Sequence, residues 1–240
     1  MSSEALVFIT GASSGIGLAL ARSVPFESRV FAISRRGAPG AEHFPADLAD
    51  PASWARVGEL FAREMAGFAG GRVVLIHSAG TLAPMGFAGE VDAPGYAAQV
   101  LLNAAAPQVL GEAFARASAT CTARCQLLMI GSGAAHTVYE GWSAYCGGKA
   151  AVDHWVRTVG AEQSRRDGNL SVYSVAPGVV ATAMQDEIRE MSARDFPDLP
   201  KFVELHEQGI LRDPAVVAAD LWKILDSGLE NGAVIDLRDA

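Results

Sequence analysis

A short apolar run, Ala5–Ile9, leads straight into Thr10-Gly11-Ala12-Ser13-Ser14-Gly15-Ile16-Gly17, after which residues of helical period begin. Such a junction reads as a strand, a tight turn and a helix in one βα unit. Gly11 permits the turn, Gly15 lets the backbone approach a ligand, and Gly17 lets the helix pack close to the strand. The first-turn amides of that helix, with Ser13, Ser14 and Ile16 beside them, make an anion-binding end suited to a diphosphate. The spacing is GxxxGxG rather than GxGxxG, so the loop alone is a weak signal. Its setting, strand before and helix after, is what points to a dinucleotide.

The same alternation continues along the chain. Arg29–Ile33, Arg72–Ile76, Gln126–Ile130, Leu170–Val175 and Ala233–Leu237 read as further strands, with His43–Phe44 as a short additional one. Gly15–Val24, Pro51–Gly67, Gly95–Ala119, Ala144–Arg166 and Pro214–Ser227 read as helices. The strands are continuous apolar runs, as a parallel sheet covered on both faces requires. The expectation is an α/β fold: one doubly wound (Rossmann) parallel sheet with helices on both faces, in a single domain over 1–240. No linker, composition shift or internal repeat divides the 240 residues. A polar, charged and Pro-containing stretch at about 182–213 breaks the alternation, and is expected to be a substrate-covering lid, partly helical at best.

Composition narrows the partners. The formal net charge is −8, and Arg35-Arg36 and Arg165-Arg166 are too short to form a nucleic-acid surface. Met1-Ser2-Ser3-Glu4 carries no basic leader, and no apolar run is long enough to span a bilayer. A cytoplasmic protein with reduced cysteines is expected. Cys121, Cys125 and Cys146 form no CxxC pair and the five histidines show no HExxH, so no metal site is expected.

The end of the second strand bears on the choice of dinucleotide. Ile33-Ser34-Arg35-Arg36 contains no acid to accept from a ribose 2′-hydroxyl, while a guanidinium there would pair with a 2′-phosphate. NADPH/NADP is the cofactor expected. Asp47 could accept from the adenine amino group with Leu48 covering the ring, or Asp47 could simply cap the helix that begins near Pro51. His77-Ser78-Ala79-Gly80 ends another strand, and the small residues would let the chain pass near the ribose.

Tyr145 and Lys149 lie four apart at the start of a long helix and share one face of it. A nearby ammonium is expected to lower the phenol pKa and suit it to proton transfer. Ser132, just past the strand ending at Ile130, can be brought beside Tyr145 to donate to the same carbonyl oxygen. Asn103 is a poor mid-helix residue unless its amide has a task, and a water held between it and Lys149 would be one. Trp142, Met184, Met85 and Phe87 could line an apolar substrate pocket.

Together these residues resemble the short-chain dehydrogenase/reductase family over essentially the whole chain. TGASSGIG, HSAG at His77–Gly80, Asn103, Ser132, Tyr145-x-x-x-Lys149 and PGVVAT at Pro177–Thr182 stand in family order. The resemblance implies Tyr145 as general acid in reduction, Lys149 on the nicotinamide ribose, Ser132 orienting the carbonyl and Asn103 holding a water. It also implies that Pro177, Gly178, Val180 and Thr182 contact the nicotinamide end, and that the protein is a homodimer or homotetramer. Within the family, AGTLAPM (Ala79–Met85), GWSAYCGGKA (Gly141–Ala150), PGVVATAMQDEIR (Pro177–Arg189) and NGAVID (Asn231–Asp236) look like the bacterial benzil reductase and sepiapterin reductase branch. That suggests a small-molecule carbonyl substrate, a vicinal diketone or aromatic ketone. HSAG departs from the usual NNAG, so His77 and Ser78 must contact ribose and backbone differently; Ser14 stands where NADP-using relatives often carry a basic residue. The alternatives are an NAD-linked alcohol dehydrogenase of the same fold and a non-catalytic NADPH-binding regulator.

Overall fold

A computed structural model describes residues 5–166 and 168–239; Met1–Glu4, on which the reading of the N-terminus rests, lie outside the described residues. Seven strands form one sheet: β1 (Ala5–Thr10), β2 (Ser28–Ser34), β3 (Glu42–Pro45), β4 (Arg72–His77), β5 (Arg124–Ile130), β6 (Leu170–Ala176) and β7 (Val234–Asp236). Their order is β3-β2-β1-β4-β5-β6-β7, and every pairing is parallel. The chain winds outward from β1 to β3, returns to β4 on the other side of β1, and winds on to β7. The reversal between β1 and β4 is the switch point, where doubly wound sheets bind ligands.

Both faces of the sheet are apolar. Leu6 and Phe8 of β1, Val73 and Leu75 of β4, and Leu127 and Met129 of β5 enter one core, with Phe61, Phe114 and Val152 from the helices. Val7 and Ile9, Val74 and Ile76, and Leu128 and Ile130 enter the opposite core, with Leu20, Val217 and Leu221. Alternate side chains point to opposite faces, so a strand covered on both sides must be apolar throughout. The helices that cover it are α1 (Gly15–Arg22) and α8 (Pro214–Ile224) on one face and α2 (Ala52–Met65), α4 (Ala106–Ser118) and α5 (Ser143–Arg165) on the other; α3 (Ala93–Val100), α6 (Ala183–Arg189) and α7 (Leu199–Glu207) lie outside the two sheet cores.

One expectation needs revision. The helix read over Gly95–Ala119 is broken: α3 and α4 are joined by a π-helical turn, Leu101–Ala105, in which the Ala106 N–H bonds Leu101 O, five residues back. The sequence cause is Pro107, which has no N–H to give the Asn103 carbonyl four residues earlier. The polar stretch before α8 is partly helical and contains both α6 and α7. Its two ends are tied together: Ala181 N donates to Arg212 O and Arg212 N to Val179 O, at 2.9 Å each.

Candidate functional site

The C-terminal strand ends open into a cleft of about 1140 Å³ that runs from Arg35 and Arg36 to Lys201 and Phe202. Its floor is the glycine turn. Gly11 has φ +67, and a Cβ on it would lie 2.8 Å from the Ala79 backbone; a Cβ on Gly17 would strike Gly11 O. The turn therefore admits no side chain on its inner side, and β1 and β4 meet at backbone distance. Thr10 Oγ1 fastens that crossing by accepting from Ser78 N and Ala79 N, both at 3.1 Å. Gly17 lies beneath the turn, while Ser13, Ser14, Gly15 and Ile16 face the cleft. Ser14 caps α1 with no bond from its side chain, and the first turn of α1 holds no acidic residue. Amides and hydroxyl are thus left to an anion, and the cradle fits a diphosphate.

At the other side of the switch point, Arg35 and Arg36 are exposed and line the cleft. Among the described residues neither forms an ion pair. Ser34 turns inward and donates to Arg36 O, which fixes the bend that presents them. Asp47 does not cap α2: its Oδ1 accepts from Ala49 N at 3.0 Å, and Asp50 makes the corresponding bond to Ala52 N. Asp47 and Leu48 both line the cleft.

Tyr145, Lys149 and Ser132 converge. Tyr145 and Lys149 are each 8% exposed on the buried face of α5, and the Ser132 hydroxyl faces the Tyr145 phenol closely enough to favour its ionised form. Lys149 Nζ donates to Ile130 O at 2.7 Å and stands 5.7 Å from the Tyr145 ring centroid. The expected direction of the tyrosine shift is reversed. Burial pushes the phenol pKa up, against a smaller lowering by Ser132, so Tyr145 holds its proton. Lys149 is not among the groups that offset this. Its own pKa is drawn down to about 8 by burial, against a raising influence of Asp153.

Asn103 is buried in the π turn, but its amide has a different task from the expected one. Asn103 Oδ1 accepts from Thr81 N at 3.0 Å and Nδ2 donates to Thr81 O at 2.7 Å, so the carboxamide clamps the loop after β4. The Asn103 backbone rests against α5 at Gly148, next to Lys149. His77 does not reach the ribose side of the cleft. It is 4% exposed, its ring nitrogens have no partner among the described residues, and burial with the nearby Lys149 ammonium pulls its pKa down to about 3.

Pro177, Gly178, Val180 and Thr182 line the wall beside the glycine turn, and a Cβ on Gly15 would lie 3.2 Å from Thr182 Cγ2. Trp142 and Met184 also line the cleft; Met85 and Phe87 do not, and are withdrawn as pocket residues. Met85 packs at the edge of the small core formed with Ile188, Phe196 and Phe202. The sequence reading missed Tyr139, Phe202 and Lys201. Lys201 Nζ donates to Tyr139 Oη at 3.0 Å, and Phe202 packs on Tyr139 with centroids 5.9 Å apart. Their signal in the sequence was only aromatic residues flanking Trp142 and recurring in the polar stretch, which looks the same whether they face a core or a ligand. Among the described residues no group of three or more His, Cys, Asp or Glu side chains is placed to hold a metal, and no helix is long and apolar enough to cross a membrane.

The comparisons agree with this geometry. The short chain dehydrogenase family model matches residues 5–193. The chain is 33% identical over 239 residues to a benzil reductase ((S)-benzoin forming) of Bacillus subtilis, covering 98% of each protein. It is 37% identical over 103 residues to a sepiapterin reductase of Bos taurus, covering 42% of this chain and 36% of the relative. Among solved structures, a short chain dehydrogenase/reductase from Saccharomyces cerevisiae superposes with a TM-score of 0.79 at 25% identity, covering 96% of this chain and 95% of the other. With a seven-stranded doubly wound sheet, a glycine cradle at its switch point and the family match over most of its length, the chain belongs to the short chain dehydrogenase family, oxidoreductases that use a nicotinamide dinucleotide.

Proposed function

We propose that the protein is an NADPH-dependent carbonyl reductase acting on a vicinal diketone or an aromatic ketone. The observation that carries this reading is the convergence of Tyr145, Ser132 and Lys149 on one wall of the cleft that begins at the glycine turn. The exposed Arg35-Arg36 pair at the end of β2, with no acid beside it, supports NADPH over NADH. The aromatic wall of Tyr139, Trp142 and Phe202 supports an aromatic substrate, as does the full-length likeness to a benzil reductase.

In this reading the glycine turn and the N-terminus of α1 hold the diphosphate, Arg35 and Arg36 the 2′-phosphate, and Lys149 the ribose nearest the chemistry. NADPH, when bound, supplies the hydride. Ser132 and Tyr145 donate hydrogen bonds to the substrate carbonyl oxygen and stabilise the charge that develops there. Tyr145 then gives its proton to that oxygen, a task suited to a phenol that burial keeps protonated. A water held between Asn103 and Lys149 would rest on the Asn103 main-chain carbonyl, since Thr81 engages the side chain. The lid formed by α6 and α7 excludes water while this happens.

The test is to mix purified protein, NADPH and benzil and follow the absorbance of the reduced nicotinamide. Turnover with NADPH well above NADH is expected, and Tyr145→Phe is expected to lower kcat by about 10²–10⁴ while cofactor affinity holds. Cofactor binding without turnover of any member of a carbonyl panel would overturn the reading in favour of a non-catalytic NADPH-binding protein.

A further inference from the structure

Behind Ser132, away from the main cleft, a small cavity of about 110 Å³ is bordered by His136, Asp153, Ser174 and Asp236. Asp153 is 2% exposed and belongs to no motif recognised in the sequence. It sits one turn beyond Lys149 on α5, so the two side chains emerge from the same face of the helix. Its Oδ1 accepts from Ser174 Oγ on β6 at 2.6 Å, and its Oδ2 meets His136 Nε2 at 3.1 Å.

Those partners bracket the loop that carries Ser132. Ser174 Oγ packs against Gly131, 2.7 Å from where a Cβ would stand, and Gly131 N donates to Val175 O. His136 ends the 3-10 turn Gly133–Ala135 that starts at Ser132. Lys149 holds the residue before this loop through Ile130 O. One helix, α5, therefore braces residues 130–136 at both ends, with Lys149 at the front and Asp153 behind.

We propose that Asp153 is a positioning residue for the reaction, bracing the Ser132 loop through Ser174 and His136 and supplying the buried counter-charge that keeps Lys149 an ammonium. It rests on the roles given to Lys149 and Ser132 above. A buried ammonium needs such a charge, because a neutral carbonyl such as Ile130 O does not compensate its lost hydration. Among the described residues no carboxylate pairs directly with Lys149, and Asp153 is the group whose charge favours its protonated form. The other groups around Asp153 do not replace it. Asp236 on β7 is occupied by Arg238, with a 2.6 Å contact, and Ser174 on β6 is neutral. On the sides of α5 that meet α3 and the π turn, Gln99 and Asn103 are neutral, and His77 at the end of β4 is held neutral by burial. His136, whose side chain is 58% exposed, links the carboxylate to solvent.

The chain has three lysines, Lys149, Lys201 and Lys223, which makes the test direct. Lysine labelled at the ε-carbon and followed by NMR against pH gives three titrations, two of them internal controls, with no nucleotide or substrate added. Asp153→Asn removes the charge and keeps the shape; Asp153→Ser serves if the first variant does not fold. The expected result is a Lys149 midpoint lowered by about one pH unit or more, with Lys201 and Lys223 unmoved. Ser174→Ala, which loosens the brace and keeps the charge, should leave the Lys149 midpoint in place and lower kcat of carbonyl reduction about tenfold, with cofactor KM within about twofold. An unchanged Lys149 midpoint in a folded, neutral variant at 153 would overturn the proposal. So would wild-type kcat in Ser174→Ala. The titration stands apart from turnover: if no carbonyl is reduced while the Lys149 midpoint falls in the variant, the proposed reaction fails and the charge relationship remains.

Discussion

Trp142 lies flat on Phe196, with ring centroids 4.4 Å apart and planes within 5° of each other. Trp142 lines the cleft and borders Tyr145 edge-on at 5.8 Å, whereas Phe196 is a fully buried residue of the segment that carries α6 and α7. The stack therefore couples the α6–α7 segment to the cleft wall beside Tyr145. Phe196→Ala removes one whole face of that contact. It should cost about 3–5 kcal/mol of the stability of the α6–α7 segment. The loss should appear as faster amide exchange over α6 and α7, with β1 and β4 protected as before. KM for an aromatic ketone should rise.

Arg35 and Arg36 are exposed and without ion-pair partners among the described residues, so replacing them leaves the fold alone. The double change Arg35→Ala/Arg36→Ala should weaken NADPH binding by roughly ten- to a hundredfold, as loss of charge-assisted phosphate contacts does, and leave NADH binding nearly constant. Titration with both nucleotides by fluorescence or calorimetry measures it. Equal weakening for the two would show that these arginines do not read a 2′-phosphate.

The glycine turn makes a steric prediction. Gly11→Ala forces a side chain into positive φ and to 2.8 Å from the Ala79 backbone. The conformational part alone costs about 1–2 kcal/mol, and the overlap pushes β1 and β4 apart. Dinucleotide affinity should fall more than global stability, because the displaced atoms line the cradle. Denaturant unfolding beside nucleotide binding separates the two effects.

His77 makes the stability depend on pH with a definite sign. Its folded pKa is near 3 and the ordinary value is 6.5. Between those values the unfolded chain takes up a proton that the native state refuses, so stability falls as pH falls through that window. The slope is at most about 1.4 kcal/mol per pH unit. Above pH 6.5 this residue contributes no slope. His77→Leu removes the titrating ring, and its unfolding free energy should fall less steeply with acid than that of the native protein. Parallel acid slopes in urea melts would refute the assignment.

The alternation of strands and helices was legible along the chain because both signals are local. Continuous apolar runs such as Val73–Ile76 mark doubly covered strands, and glycines at 11, 15 and 17 mark the turn after β1. The break in the long helix before β5 was legible too, had the spacing of Asn103 and Pro107 been weighed, since a missing N–H acts on the carbonyl four residues back. Tyr145, Lys149 and Ser132 could be singled out by residue type and by their place at strand and helix ends.

What those residues experience was decided elsewhere. Burial raised the tyrosine pKa where spacing to Lys149 had suggested a fall. The aromatic wall joins Tyr139 and Trp142 to Phe202, and the clamp on Thr81 comes from a residue 22 positions away. Desolvation depends on everything that surrounds a group, and contacts of this kind are set by how helices dock. A linear sequence specifies which groups are present and on which face they emerge; only the packed chain sets their distance, their exposure to water and therefore their charge.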